Sequence, residues 1–200
     1  MIQTIEQLRS LYPPAKERAV KKQLTHLDAH CRRYIGLSPF VVVSSIGLDQ
    51  LLDASPRGGA AGFVEVLDAN TLLIPDSPGN NRLDTLENII HTGQVGLLFM
   101  LPGMDETLRV NGTASLTNEA ADLERCATEV RKPKLVIKVQ VVEAYLHCAK
   151  AFMRSKLWDP RAHVQRSTLP SMGEMINEQA GMATPPETQE EMLARYRAEL

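Results

Sequence analysis

At 200 residues, with 44% hydrophobic and 23% charged residues, the chain has the length and apolar content for one domain with a full core. A formal net charge of −2, with both signs interspersed, leaves no broad basic face and argues against duplex nucleic acid as a partner. Three separated cysteines, Cys31, Cys126 and Cys148, form no Cys-x-x-Cys pair, which argues against a disulfide scaffold and fits a reducing compartment. Residues 1–10 carry Glu6 and Arg9 without a continuous apolar run, and no segment is apolar for long enough to span a bilayer. Neither a signal peptide nor a membrane span is expected, and the cytoplasm is the default location.

Pro13-Pro14 closes an irregular start. Val20, Leu24, Leu27, Cys31 and Ile35 then recur at helical spacing, with Lys21, Lys22, Arg32 and Arg33 off the stripe. This predicts a helix that packs on a larger body and stops at Gly36. From Pro39 the texture becomes β-branched, and strands are expected over 40–46, 51–54, 63–67, 71–74, 95–101, 107–110, 113–116 and 135–145. Asp68-Ala69-Asn70 turns one pair, and Asn111-Gly112 is either a hairpin turn or a glycine bulge. The six or seven short strands with tight connections point to an α+β fold, mainly antiparallel β, built as a barrel or sandwich with flanking helices.

One helix interrupts the strands. Asn80 or Asn81 is placed to cap it, Asp84 and Glu87 fall in its first turns, Leu83, Leu86, Ile89 and Ile90 make its apolar stripe, and Gly93 follows His91 as its stop. A further helix is expected over 119–128, capped by Thr117 or Asn118. From residue 161 the chain is polar and punctuated by Pro170, Pro185 and Pro186, which suggests short helices or an arm over the barrel. The organisation is a single domain over 1–200, with a helical segment over 1–36 and a C-terminal arm over 161–200.

Two stretches carry the chemistry. In Ile74-Pro75-Asp76-Ser77-Pro78-Gly79-Asn80-Asn81-Arg82-Leu83-Asp84 a strand enters a proline-glycine loop and then a helix N-terminus bearing an arginine. Free backbone N–H groups, the positive end of the helix dipole and a guanidinium meet there, which suits a phosphate; the plainer alternative is a capped helix with a solvent-exposed arginine. Asp53-Ala54-Ser55-Pro56-Arg57-Gly58-Gly59 offers a hydroxyl, a second guanidinium and glycines, or else is an ordinary surface loop. In an antiparallel meander these stretches end on neighbouring strands, so Arg57 and Arg82 are expected to grip one anion together.

Read in order, these stretches, with Gly62-Phe63-Val64, Leu97-Leu98-Phe99 and the run from Thr107 to Gly112, resemble the pyridoxamine 5′-phosphate oxidase-like superfamily of FMN-binding split barrels. His147-Cys148-Ala149-Lys150 and Arg154-Ser155-Lys156-Leu157-Trp158 are similar to a bacterial flavoprotein branch of it. The resemblance implies a six- to seven-stranded split β-barrel acting as a homodimer with two non-covalent FMN molecules in its interface. It implies that Arg82, with Asn80 and Asn81 beside it, holds the phosphate, and that Ser55 and Arg57 meet the phosphate and ribityl chain. Ser155, Lys156 and Trp158 are implied to approach the flavin, from the second subunit. The implied activity is hydride transfer through FMN to or from a small molecule, with a reduced nicotinamide as a candidate donor. Other readings on the same scaffold are a non-catalytic flavin binder or sensor, and a relative using deazaflavin or haem, for which His91, His147 and His163 are the candidate ligands. The substrate-binding pattern of true pyridoxamine phosphate oxidases is not recognisable at the C-terminal end, which puts that reaction in doubt.

Other motifs fail. Gly58-Gly59-Ala60-Ala61-Gly62 has the wrong spacing for a dinucleotide turn, and there is no phosphate loop of the GxxxxGK type. His26 and His30 are spaced for a shared metal but lack a third ligand, and no motif anchors a nucleophilic serine. His147-Cys148 reads as packing rather than a thiol with its base, because neighbours in an extended segment point opposite ways.

Overall fold

In the computed structural model, which describes residues 1–129 and 131–199, alternation of apolar residues makes the strands and closes them around one core. In β1 (Phe40–Ile46) Val41, Val43 and Ser45 turn inward and are buried. The other strands are β2 (Leu52–Gly58), β3 (Glu65–Val66), β4 (Thr71–Pro75), β5 (Gln94–Met100), β6 (Thr107–Thr117) and β7 (Val136–His147). They form a seven-stranded sheet in the order β2-β1-β5-β6-β7-β4-β3, antiparallel at every pairing. The sheet curls into a split barrel filled by Leu72, Ile74, Leu97, Phe99, Val110, Ile137 and Val139, all essentially without solvent contact. Residues 71–74 of β4 are buried on both faces. Leu72 and Ile74 point into that core, while Leu73 packs with Val136, Cys126 and Leu123 in a smaller cluster reached by the helix Ala120–Arg125.

The Asn111-Gly112 alternative resolves as a bulge. β6 runs unbroken through it, pairing Asn111 with Glu143 and Gly112 with Val141, so that one residue of β7 is skipped. A Cβ on Gly112 would lie 2.0 Å from the Gln140 carbonyl oxygen, so the two backbones can approach this closely only at a glycine.

The helices depart from expectation at their ends. The supposedly irregular start contains α1 (Ile5–Arg9), whose Thr4 accepts from the Gln7 N–H while the Gln7 side chain returns to the cap backbone. The helix expected through Val20 and Ile35 is two helices, α2 (Glu17–Lys21) and α3 (Ala29–Leu37). Between them Leu24 exchanges both backbone hydrogen bonds with Ala144 of β7, which pulls the chain out of helical conformation. Leu27, Cys31 and Ile35 remain buried, whereas Val20 is exposed. α3 also passes through Gly36 and stops at Ser38, because Ser38 precedes Pro39 and is held extended.

In α4 (Asp84–Thr92) Gly93 is the left-handed stop that its position predicts, but neither Asn80 nor Asn81 caps the start. The cap residue is Leu83, and the buried face is Thr85, Leu86 and Ile89, leaving Leu83 and Ile90 exposed. α5 (Ala120–Arg125) is shorter than the 119–128 drawn from the sequence, and Thr117 accepts from the Glu119 N–H ahead of it without capping the helix itself. α6 (Lys150–Ser155) follows β7.

The chain divides into two compact units, Met1–Trp158 and the residues from Asp159 onward. The second unit, in which the predicted arm falls, has two short 3₁₀ turns, α7 (Met172–Ala180) with a Ser171/Glu174 capping box, and α8 (Gln189–Glu199). Among the described residues no helix is long and apolar enough to cross a membrane.

Candidate functional site

β2 is an edge strand, and it continues through Ser55-Pro56-Arg57-Gly58 where a loop was one of the two readings. An edge tolerates Pro56, which has no N–H to give to a further strand. Alternation turns Asp53, Ser55 and Arg57 toward the barrel interior and leaves Leu52, Ala54, Pro56 and Gly58 exposed. β4 ends at Pro75, and the Asp76 N–H donates to the Leu135 carbonyl at 3.1 Å before the chain leaves the sheet. In the loop that follows, the Asn80 side chain accepts from the Arg82 N–H at 3.1 Å. The backbone is left-handed on both sides of Arg82, with φ of 60° at Asn81 and 62° at Leu83. Asparagine tolerates this conformation; leucine pays roughly 1–2 kcal/mol for it. Strain is thus concentrated where the chain presents Arg82, whose Nε lies 2.8 Å from Asp84 on the surface.

β2 and β4 are not neighbours in the sheet, contrary to the meander expected from sequence: β2 forms one edge and β4 is sixth in order. Residues from both nevertheless line a common cleft. Ser55 and Arg57 from β2, Asn80, Asn81 and Arg82 from the loop, and Asp76 at the end of β4 line one cleft of about 970 Å³. Its far wall is a segment that the sequence reading passed over, Arg131, Lys132 and Lys134 leading into β7. The run Arg-Lys-Pro-Lys is visible in the letters, but a solvated linker has the same composition. Five cationic side chains therefore line the cleft against two carboxylates, Asp76 and Asp84, which is the electrostatic setting for an anion.

A hydroxyl network holds this wall in place. Asp53 accepts from Ser55 Oγ at 2.9 Å, from the Thr85 hydroxyl of α4 and from Ser45 Oγ at 3.4 Å, and Asn88 Nδ2 donates to Ser45 at 3.0 Å. These bonds tie β1, β2 and α4 together behind the cleft. They also commit the Ser55 proton to Asp53, so toward the cleft Ser55 presents an acceptor.

Asp76 is half-buried in this cationic surrounding. Burial pushes its carboxyl above the usual range, opposed by the charge of Arg57, the Ser77 N–H and the charge of Lys134.

Within one copy of the chain, Ser155, Lys156 and Trp158 do not line the cleft. Ser155 and Lys156 are exposed at the end of α6, where Lys156 is left-handed with φ of 52°. Trp158 donates from Nε1 to the Met104 carbonyl at 2.9 Å and packs against Phe152. Cys148, expected to pack, is instead a free and exposed thiol, while Cys31 and Cys126 are buried. Burial pushes the Cys31 and Cys126 thiols up to about 11, which keeps them protonated. His147 has a buried Nε2 without a hydrogen-bond partner, and burial, then Arg109 and Lys22, lower its pKa and keep it neutral. Among the described residues no group of three metal-ligating side chains converges.

The fold is an antiparallel split barrel in which residues of the edge strand and of the helix-entry loop line one basic cleft. Residues 27–148 match the pyridoxamine 5′-phosphate oxidase family, and the chain belongs to that family. Among solved structures, a tagged variant of HupZ from Group A Streptococcus shares the fold at 16% identity and a TM-score of 0.51, over 60% of this chain and 99% of that one. An FMN-binding protein from Syntrophomonas wolfei is 15% identical over 58% of this chain and 83% of its own, with a TM-score of 0.45. The FAD binding protein from Mycobacterium smegmatis is 15% identical over 62% and 97%, with a TM-score of 0.44. No match was found among curated proteins.

Proposed function

We propose that this protein is an FMN-dependent oxidoreductase that moves hydride to or from a small organic molecule, working as a cytoplasmic homodimer. The observation that carries this reading is that Arg57, on edge strand β2, and Arg82, in the loop after the non-neighbouring β4, line one basic cleft in a barrel of this family. The residues fit a phosphate monoester with a polyol tail. The two guanidiniums give charge-assisted hydrogen bonds to phosphate oxygens, Asn80 and Asn81 stand beside them, and Ser55 accepts from a ribityl hydroxyl. The Arg82 side chain is paired with the exposed carboxylate of Asp84, a bond weak enough to exchange for a phosphate.

Homodimerisation is supported by the outward face of β2, β1 and β5, where Pro56, Val42 and Leu98 lie side by side in register. A second copy is also what would bring Ser155, Lys156 and Trp158 to the flavin. Flavin supplies the redox chemistry once bound, so the reading requires no nucleophile or acid–base pair from the chain. Anaerobic titration of the flavin-loaded protein with reduced nicotinamides should bleach its visible absorption. A flavin that no nicotinamide reduces would favour the non-catalytic binder.

A further inference from the structure

Resting on the reading that a flavin phosphate occupies this cleft, we propose that its binding is coupled to uptake of one proton by Asp76. The carboxyl is half-buried at the end of β4, and charged groups from three segments line the same cleft: Arg57 from β2, Arg82 and Asp84 from the entry to α4, and Arg131, Lys132 and Lys134 from the segment before β7. Among the described residues no hydroxyl or amide side chain donates to it, in contrast to Asp53, which takes three hydroxyl protons. Burial disfavours its carboxylate, and the charge of Arg57, the Ser77 N–H and the charge of Lys134 act the other way.

A phosphate dianion entering the cleft takes that field for itself and adds like charge close by. Both changes disfavour the carboxylate. Protonated Asp76 removes the repulsion and gains an O–H to donate toward a phosphate oxygen. The sign follows: Asp76 holds its proton more tightly in the complex than in the free protein. Affinity is therefore highest below the free-state pKa and falls as pH rises through the window between the two values, by up to about tenfold per pH unit.

Two measurements test this. FMN is titrated into the flavin-free wild type and Asp76→Asn between about pH 5 and about pH 8, and at each pH the ratio of the two dissociation constants cancels the ligand's own phosphate titration. The wild type should weaken relative to Asp76→Asn with rising pH, by roughly tenfold or more over the range. Calorimetry of the wild type alone, in buffers of different ionisation enthalpy, needs no variant. Above about pH 7 the phosphate is already dianionic, so net proton uptake there reports the protein. A constant ratio with no net uptake, while Arg82→Ala still weakens FMN, overturns the role of Asp76 and leaves the site in place. FMN binding that Arg82→Ala does not alter would overturn the site itself, and this inference with it.

Discussion

Gly112→Ala should lower the stability of the barrel by about 3 kcal/mol, and the melting temperature by roughly 6–12 °C for a chain of this size. The added Cβ would stand 2.0 Å from the Gln140 carbonyl oxygen, 3.0 Å from its carbon and 3.3 Å from the Val141 Cα. All three are backbone atoms of β7, in the middle of the sheet, so the clash cannot be relieved by a rotamer change. Relief requires β6 and β7 to separate at the bulge, which breaks ladder hydrogen bonds around Gly112. Gly36→Ala is the matched control. Gly36 lies within α3 with nothing inside 4 Å of its added methyl, so alanine there should stabilise by roughly 0.5–1 kcal/mol. Thermal unfolding of both variants reads the two signs directly. Equal, small effects would mean that β6 and β7 are not paired in this register.

Arg82→Ala should weaken FMN binding roughly ten- to a hundredfold while leaving the melting temperature of the flavin-free protein unchanged within about 1 °C. A charge-assisted hydrogen bond to a phosphate is worth about 1.5–3 kcal/mol, which sets the range. The Arg82 side chain pairs with Asp84 while 74% exposed, and pairs of that kind contribute little to stability. Arg57→Ala should act in the same direction and less strongly, because Arg57 already donates to its neighbouring Pro56 carbonyl and faces Asp76. Fluorescence titration of the flavin-free proteins gives both affinities. An unaltered affinity in the Arg82 variant would place the phosphate elsewhere.

How far the sequence spoke depended on whether a feature was local. β1 lies over residues 40–46 as its β-branched run dictates, and Gly93 ends α4 as a left-handed stop, because neither depends on a distant partner. The apolar spacing from Val20 to Ile35 was misleading for the opposite reason. Leu24 is drawn out of the helix by Ala144, about 120 residues away, and no local pattern encodes that pairing. Within α4, Leu83 and Ile90 match the apolar spacing but fall outside the packed face, because the left-handed turn at Leu83 sets where the helix begins.

The candidate site divides in the same way. The loop that carries Arg82 was legible because proline, glycine and asparagine residues mark it. The strand adjacency expected to join Arg57 and Arg82 is absent, although both line one cleft. The basic segment from Arg131 to Lys134 went unused because charge alone does not say which surface it faces.

The central claim, a homodimer that holds FMN, is tested most directly by native mass spectrometry of protein freshly purified without added cofactor. The account predicts a dimer carrying two non-covalent flavins, released by acid as FMN. A flavin-loaded monomer would contradict the interface, and a dimer carrying FAD, a deazaflavin or haem in place of FMN would contradict the cofactor.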